Sequence, residues 1–264
     1  MHRGNCMEKG ICMLRIIPLR REPSEKSEMI SQLLFGEVYE TAEITAEWLR
    51  ITTEFDGYEG WIDKKMFTSV SEDYYQRLSV ERYAVAGQVT EIIVTPGSGA
   101  YIISAGSTLG FPRNDGTLEI NSIRYRMAGQ TGFPMQKSPA DLIETAKQLL
   151  NSPYLWGGRS PFGYDCSGFT QVVYKIIGVR LPRDAWQQAS VGHSVVSVND
   201  AGHGDLVFFA GNEGRVVHVG LAIPPGQIIH CSGAVRIDVL DEKGIYNRQL
   251  NQYTHRLHSI KRVV

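Results

Sequence analysis

Cys166 stands at the head of an amphipathic stretch, in Tyr164-Asp165-Cys166-Ser167-Gly168-Phe169. Phe169, Val172, Val173, Ile176 and Ile177 recur at helical spacing behind it, and Gly178 supplies a stop. A thiol in the first turn of a helix faces unpaired backbone N–H groups and the positive end of the dipole, which favour the thiolate. The same N–H groups, that of Cys166 among them, can receive the oxyanion of a tetrahedral intermediate. The bland alternative is a small buried residue, since unpaired cysteine is among the most buried types.

Two histidines weigh against the bland alternative. Residues 216–223 and 227–231 read as strands joined by Pro224-Pro225-Gly226. The mean of 218 and 230 falls inside that turn, so His218 and His230 are expected to oppose each other on one face, with Cβ atoms about 5 Å apart. One imidazole can then take the proton of Cys166 while the other fixes its tautomer. Cys231, next to His230, points to the other face and reads as core. Cys166, His218 and His230 are donor types that zinc also uses, but their spacing resembles no zinc pattern and the chain has no CxxC pair. His2, His193, His203, His255 and His258 have no partner legible in the sequence.

Different elements surround these residues. Strands are expected at 14–17, 30–34, 48–53 and 58–62, with Asp56-Gly57 as a hairpin turn. A second set is expected at 92–94, 101–104, 117–120 and 123–127, with Asn114-Asp115-Gly116 as a turn. Short strands with such turns indicate small barrels. Residues 71–83 between the sets are charged and Tyr-bearing, fitting a linker or a helix. Ser138-Pro139-Ala140-Asp141 then opens a helix that runs through Leu142, Ala146, Leu149 and Leu150 to Asn151-Ser152-Pro153. Strands at 205–209, 216–223, 227–231 and 256–264 follow the Cys166 helix. The fold class is α+β, with barrels first and a mixed domain after them.

The chain of 264 residues has 27 basic and 28 acidic side chains. That balance makes no electrostatic case for nucleic acid or an anionic membrane surface. No apolar run reaches the length of a membrane span. Residues 1–12 lack the apolar core of a secretory signal, so a reduced, cytoplasmic protein is expected; a start at Met7 or Met13 would weaken that inference, and a different true N-terminus would allow secretion.

Four segments together resemble the NlpC/P60 family of bacterial peptidoglycan peptidases. They are Tyr154-Leu155-Trp156-Gly157-Gly158, Asp165-Cys166-Ser167-Gly168-Phe169, Gly204-Asp205-Leu206-Val207-Phe208-Phe209, and His218-Val219-Gly220 with His230. The match spans about half the chain, in the family's order. His203 departs from it, standing where members often have proline. Arg20-Arg21-Glu22-Pro23-Ser24, the run from Glu28 to Glu37, and Asp56-Gly57-Tyr58-Glu59-Gly60-Trp61 resemble a bacterial SH3 domain. A second SH3 resemblance, from 83 to 133, rests on strand pattern.

The resemblance implies a papain-like NlpC/P60 catalytic domain over 135–264, behind two small SH3-like barrels at 13–70 and 83–134. Residues 71–82 would then be a linker or short helix, and 1–12 a loose segment. The same order of domains is similar to the γ-D-glutamyl-L-diamino acid endopeptidases of the family. That implies a cysteine peptidase without cofactor or metal, acting on murein tri- or tetrapeptides with a free N-terminal L-Ala and releasing L-Ala-γ-D-Glu. Cys166 would attack, His218 shuttle the proton and His230 orient His218. By the same resemblance Tyr154, Trp156, Asp165, Ser167 and Asp184 line the substrate site, with Tyr58 and Glu28 reaching in from the first SH3 domain. The rival readings are the same chemistry on intact wall, a non-catalytic wall-binding protein, and a lipid acyltransferase on the same fold. Neither the choice between diaminopimelate and Lys nor the oligomeric state is legible.

Overall fold

A computed structural model describes residues 7–81, 83–95, 99–113, 115, 117–127 and 139–264. The chain forms two compact units, Met1–Pro134 and Met135–Val264. The expected turn residues Asn114 and Gly116, and Ser138, the expected helix cap, lie outside the described residues.

The first unit opens with β1 (Lys9–Ile11), β2 (Ile16–Arg20), β3 (Met29–Leu34), β4 (Val38–Ile44), β5 (Trp48–Thr53) and β6 (Glu59–Asp63). They form one antiparallel sheet in the order β1-β4-β5-β6-β2-β3. Alternation sets its inside: Ile17 and Leu19 of β2 are buried while Ile16, Pro18 and Arg20 face outward. Leu33, Tyr39, Leu49, Ile51 and Ile62 complete that core. At the Asp56-Gly57 turn, Gly57 takes φ +68° and its N–H reaches the Thr53 carbonyl at 3.0 Å. Tyr58 follows, its N–H held by Thr53 Oγ1 at 2.8 Å and its ring packed against the barrel core.

Two expectations change here, and an open one is resolved as a helix. Lys9–Ile11 is not loose: it pairs with β4, because Ile11 and Cys12 are fully buried and Gly10 leaves room for the Tyr39 ring. The strand expected from residue 14 starts at Ile16, with Leu14 exposed. Within 71–83, Ser71 caps a helix, α1 (Glu72–Val80), by accepting from the Tyr74 N–H at 3.2 Å.

The unit continues through β7 (Ala84–Val85), β8 (Thr90–Thr95), β9 (Ala100–Ile103), β10 (Thr108–Gly110), β11 (Thr117–Ile120) and β12 (Ile123–Met127). Four of these strands form a sheet in the order β11-β12-β8-β9, and β10 pairs with β7. Ile92, Ile103, Leu118 and Ile120 share one apolar cluster with Tyr75 and Leu78 of α1 and with Ile11, Phe35 and Val38 of the first barrel.

The second unit starts with α2 (Pro139–Lys147), whose Leu142, Ile143 and Ala146 are buried. A small hairpin, β13 (Arg159–Ser160) and β14 (Gly163–Tyr164), leads into α3 (Cys166–Ile176) and the short α4 (Ala185–Gln188). Seven strands follow: β15 (His193–Val195), β16 (Leu206–Ala210), β17 (Val216–Ile223), β18 (Gln227–Ser232), β19 (Ala234–Asp241), β20 (Gly244–Asn247) and β21 (Gln252–Arg262). Their order is β15-β21-β16-β17-β18-β19-β20, and β20 also pairs with β21, so the sheet closes on itself. Val207, Phe209, Ala222, Ile228, Leu240, Ile245 and Ile260 fill one face. All eleven residues of α3 are buried, and the helix lies against β17 and β18.

Candidate active site

Asp165 makes the N-terminus of α3. Its Oδ1 accepts from the Gly168 N–H at 2.7 Å, and its Oδ2 from the Gly157 N–H at 2.9 Å. Arg183, also fully buried, closes the arrangement with Nη2 to Oδ2 at 2.6 Å and Nη1 to Oδ1 at 3.0 Å. The Arg183 Nη1 also reaches Ser167 Oγ at 3.0 Å. Such a buried fork-to-carboxylate pair is geometrically specific. Gly168 is needed here, since a Cβ on it would lie 2.1 Å from the Gly158 carbonyl oxygen.

Cys166 is thereby fixed in the first turn, buried, with its sulfur approached by the backbone amides of Val219 and Ser167. Burial nevertheless pushes its thiol up to about 12, and the Asp165 charge adds to that rise against the two amides and Arg183. Burial and the Asp165 charge thus work against the thiolate that the helix terminus was expected to favour.

Val219, against the thiol, is the neighbour of His218. His218 Nε2 lies 2.9 Å from His230 Nδ1, with the rings edge to face. The pair is not directly cross-strand. Gly220 opposes His230, and Ile223 pairs with Gln227, so the three-residue turn is centred on Pro225 and His230 sits diagonally from His218. Both side chains still share a face, because the offset is two residues. Gly220 makes the diagonal contact possible, since a Cβ there would stand 2.7 Å from that of His230.

Two further side chains complete the cluster. His230 Nε2 lies 3.1 Å from Asp238 Oδ2, and Arg236 Nη2 donates to Asp238 Oδ1 at 3.0 Å. His255 stacks on His218, with ring centroids 4.2 Å apart and planes at 27°. Phe209 touches both His218 and His255. Extra residues in β17 and β21 shift the register beside this cluster, at Phe209/Ala210 and Phe208/Phe209, the kind of bulge that re-aims side chains. Burial, then His230 and His255, hold the His218 imidazolium well below its ordinary range. Burial likewise pulls His255 down to about 4.

A model of the NlpC/P60 family matches residues 151–254, and one of the bacterial dipeptidyl-peptidase Sh3 domain matches residues 19–66. A protein of Bacillus subtilis named gamma-D-glutamyl-L-lysine dipeptidyl-peptidase is 31% identical over 83% of this chain and 78% of its own length. The chain belongs to the NlpC/P60 family. A Bacillus cereus relative of the same name is 28% identical over 80% of this chain and 69% of its own. Among solved structures, an NlpC/P60 family protein from Bacillus cereus superposes with a TM-score of 0.81 at 22% identity, covering 97% of this chain and 99% of that one. The fold is thus an α+β NlpC/P60 fold with an N-terminal SH3 domain, and the protein is a peptidase, a hydrolase acting on peptide bonds.

Within this NlpC/P60 domain the structure brings most of the sequence-derived candidates together. Tyr154 is exposed and close enough to Cys166 and Asp165 for their charges, after burial, to raise its phenol to about 12. Trp156 is exposed in the same loop. Asp165 and Ser167 are buried and engaged with Arg183, so they build the helix terminus rather than present a free surface. Asp184 heads α4, its N–H donating to Gln187 Oε1 at 3.1 Å. Cys231 is core, with its thiol donating to the Tyr164 carbonyl at 3.1 Å. Tyr58 and Glu28 belong to the other unit, where Glu28 accepts from Arg21 Nε at 2.6 Å. Sequence reasoning missed Arg183, Asp238 and His255. A charged pair at alternate positions in an otherwise apolar strand, Val235-Arg236-Ile237-Asp238-Val239, was the one available signal.

Proposed function

We propose that this protein is a cysteine endopeptidase that hydrolyses the γ-D-glutamyl–diamino acid bond of murein peptides with a free N-terminal L-Ala, releasing L-Ala-γ-D-Glu. One observation carries the reading: likeness to the two named dipeptidyl-peptidases runs through both the SH3 and the peptidase regions, over 80% and 83% of the chain. By contrast, the p60 endopeptidases of Listeria match over 39% of the chain or less. That favours a peptide substrate over the intact wall.

In the proposed reaction Cys166 Sγ attacks the γ-carbonyl carbon as its proton passes to His218. Since His218 Nε2 is engaged by His230, Nδ1 is the nitrogen left to receive it. Backbone N–H groups at the start of α3 receive the oxyanion. Collapse breaks the C–N bond, and His218 returns the proton to the leaving amine. Water then attacks the thioester, giving its proton to His218, and the thiol is regenerated with the free γ-carboxylate of the dipeptide. Such free peptides would be met in the cytoplasm, which cell fractionation tests. The reaction itself is tested with L-Ala-γ-D-Glu-diamino acid tripeptide and mass spectrometry. Release of L-Ala-γ-D-Glu is expected; an uncut tripeptide beside digested intact murein would overturn the reading.

A further inference from the structure

We propose that Asp238 is a positioning residue that sets the tautomers of both site histidines through its hydrogen bond to His230. The inference rests on Cys166 and His218 being nucleophile and base. Asp238 and Arg236 sit on β19, where Asp238 opposes Ile228 and Arg236 opposes His230. Both therefore share the face that carries His230. An ionised carboxylate can only accept, so the 3.1 Å contact to His230 Nε2 requires the proton on that nitrogen. His230 Nδ1 is then a lone pair, and the 2.9 Å contact to His218 requires His218 Nε2 to donate. The lone pair of His218 consequently falls on Nδ1, the atom that must take the thiol proton. One carboxylate thus dictates the protonation pattern of two imidazoles in series.

Arg236 keeps that carboxylate charged. Its Nε stands 2.8 Å from Oδ2 and its Nη2 donates to Oδ1. Burial would raise the Asp238 carboxyl, but hydrogen bonds from His230 and Arg236 outweigh it and hold the group below the ordinary range. Among the described residues, the other titratable rings against His230 are His218 on β17 and His255 on β21. None competes for the His230 Nε2 proton: His255 Nδ1 is engaged with Thr254 Oγ1, and the His255 ring stacks on His218. When His218 becomes an imidazolium during attack, the Asp238 carboxylate stabilises that charge through the His230 ring and stays ionised itself.

Nitrogen-15 NMR of histidine-labelled protein reads the tautomers directly, with or without a substrate. In the unmutated protein both His230 and His218 are expected to carry the proton on Nε2. Asp238→Ala removes the acceptor, so the pattern should mix, and kcat on the tripeptide should fall about a hundredfold with KM within about threefold, in the range of a lost proton-transfer arrangement. Asp238→Asn keeps an acceptor oxygen without the charge, so the tautomers should hold and kcat fall about tenfold. A proton on His230 Nδ1 in the unmutated protein would overturn the inference, as would Asp238→Ala with unchanged tautomers and kcat. Should Asp238→Ala fail to fold by circular dichroism, the unmutated spectrum and the Asn variant still decide. Failure of the unmutated protein to cleave the tripeptide would count against the proposed function alone, because the tautomers are read independently.

Discussion

The thiol of Cys166 is held neutral by burial although two amides point at its sulfur, so its proton has to leave as the sulfur attacks. That places the burden on His218, which burial keeps unprotonated. A base lowered below 6.5 stays competent as the pH falls to 6.5 and is lost only beyond it. The acid limb of kcat/KM is therefore expected below pH 6.5, measured as a profile on the tripeptide; a limb above 7 would contradict a buried neutral base. His218→Ala should remove nearly all turnover, whereas His230→Gln should lose less, since an amide can still hold an imidazole. Equal, small losses would mean that the pair is not catalytic. Cys166→Ala should abolish turnover with the fold intact, and Cys231→Ala, whose buried thiol only donates to the Tyr164 carbonyl, should retain most of it. Cys166 and the two histidines were legible because a nucleophile at a helix head and a histidine pair across a hairpin are local patterns. Arg183 and His255 were not, because each meets its partner only after the chain returns; Asp238, eight residues from His230 across the next hairpin, lay within reach of the same reasoning.

Among the elements, the β17–β18 hairpin carries the site, and its register was misjudged by one residue at the turn. The pairing of Gly220 with His230 converts an expected opposite pair into a diagonal one, and the shared face survives because strand alternation has period two. The bulges beside Phe209 left no mark in the hydrophobic pattern, since an inserted residue disturbs pairing before it disturbs composition. Gly220 is the test of the diagonal geometry. A Cβ there would stand 2.7 Å from that of His230 and 2.8 Å from Ile228 Cδ1, so Gly220→Ala must push the His230 ring away or open the hairpin. Overpacking of this kind costs about 1–3 kcal/mol. The variant is expected to melt lower and to lose at least about tenfold in kcat, by calorimetry and tripeptide turnover. A variant with unchanged kcat would show that the diagonal contact does not matter.

Across the whole molecule, the alternating strands and the Asp-Gly turn made the first barrel legible, while the three-residue β1 was too short to show a period. The joining of a bacterial SH3 domain to the peptidase raises the question of what the combination recognises. An enzyme for intact wall must accept an L-Ala whose nitrogen is acylated by the glycan. An enzyme for free peptides can demand an ammonium, which needs an acidic or hydroxyl partner. The Asp165 carboxylate is already occupied by backbone amides, Ser167 and Arg183. The acceptor proposed from the family resemblance is Asp184, and the same resemblance implies a part for Tyr58 and Glu28. A charge-assisted hydrogen bond contributes roughly 1.5–3 kcal/mol, and an acylated nitrogen would leave the acid unpaired. N-acetylation of the tripeptide is accordingly expected to cut kcat/KM about tenfold to a hundredfold. Asp184→Asn should shrink that discrimination, and Tyr58→Phe should shrink it less. Equal cleavage of free and acetylated peptides by the unmutated protein would sink the free-peptide reading and favour action on the wall.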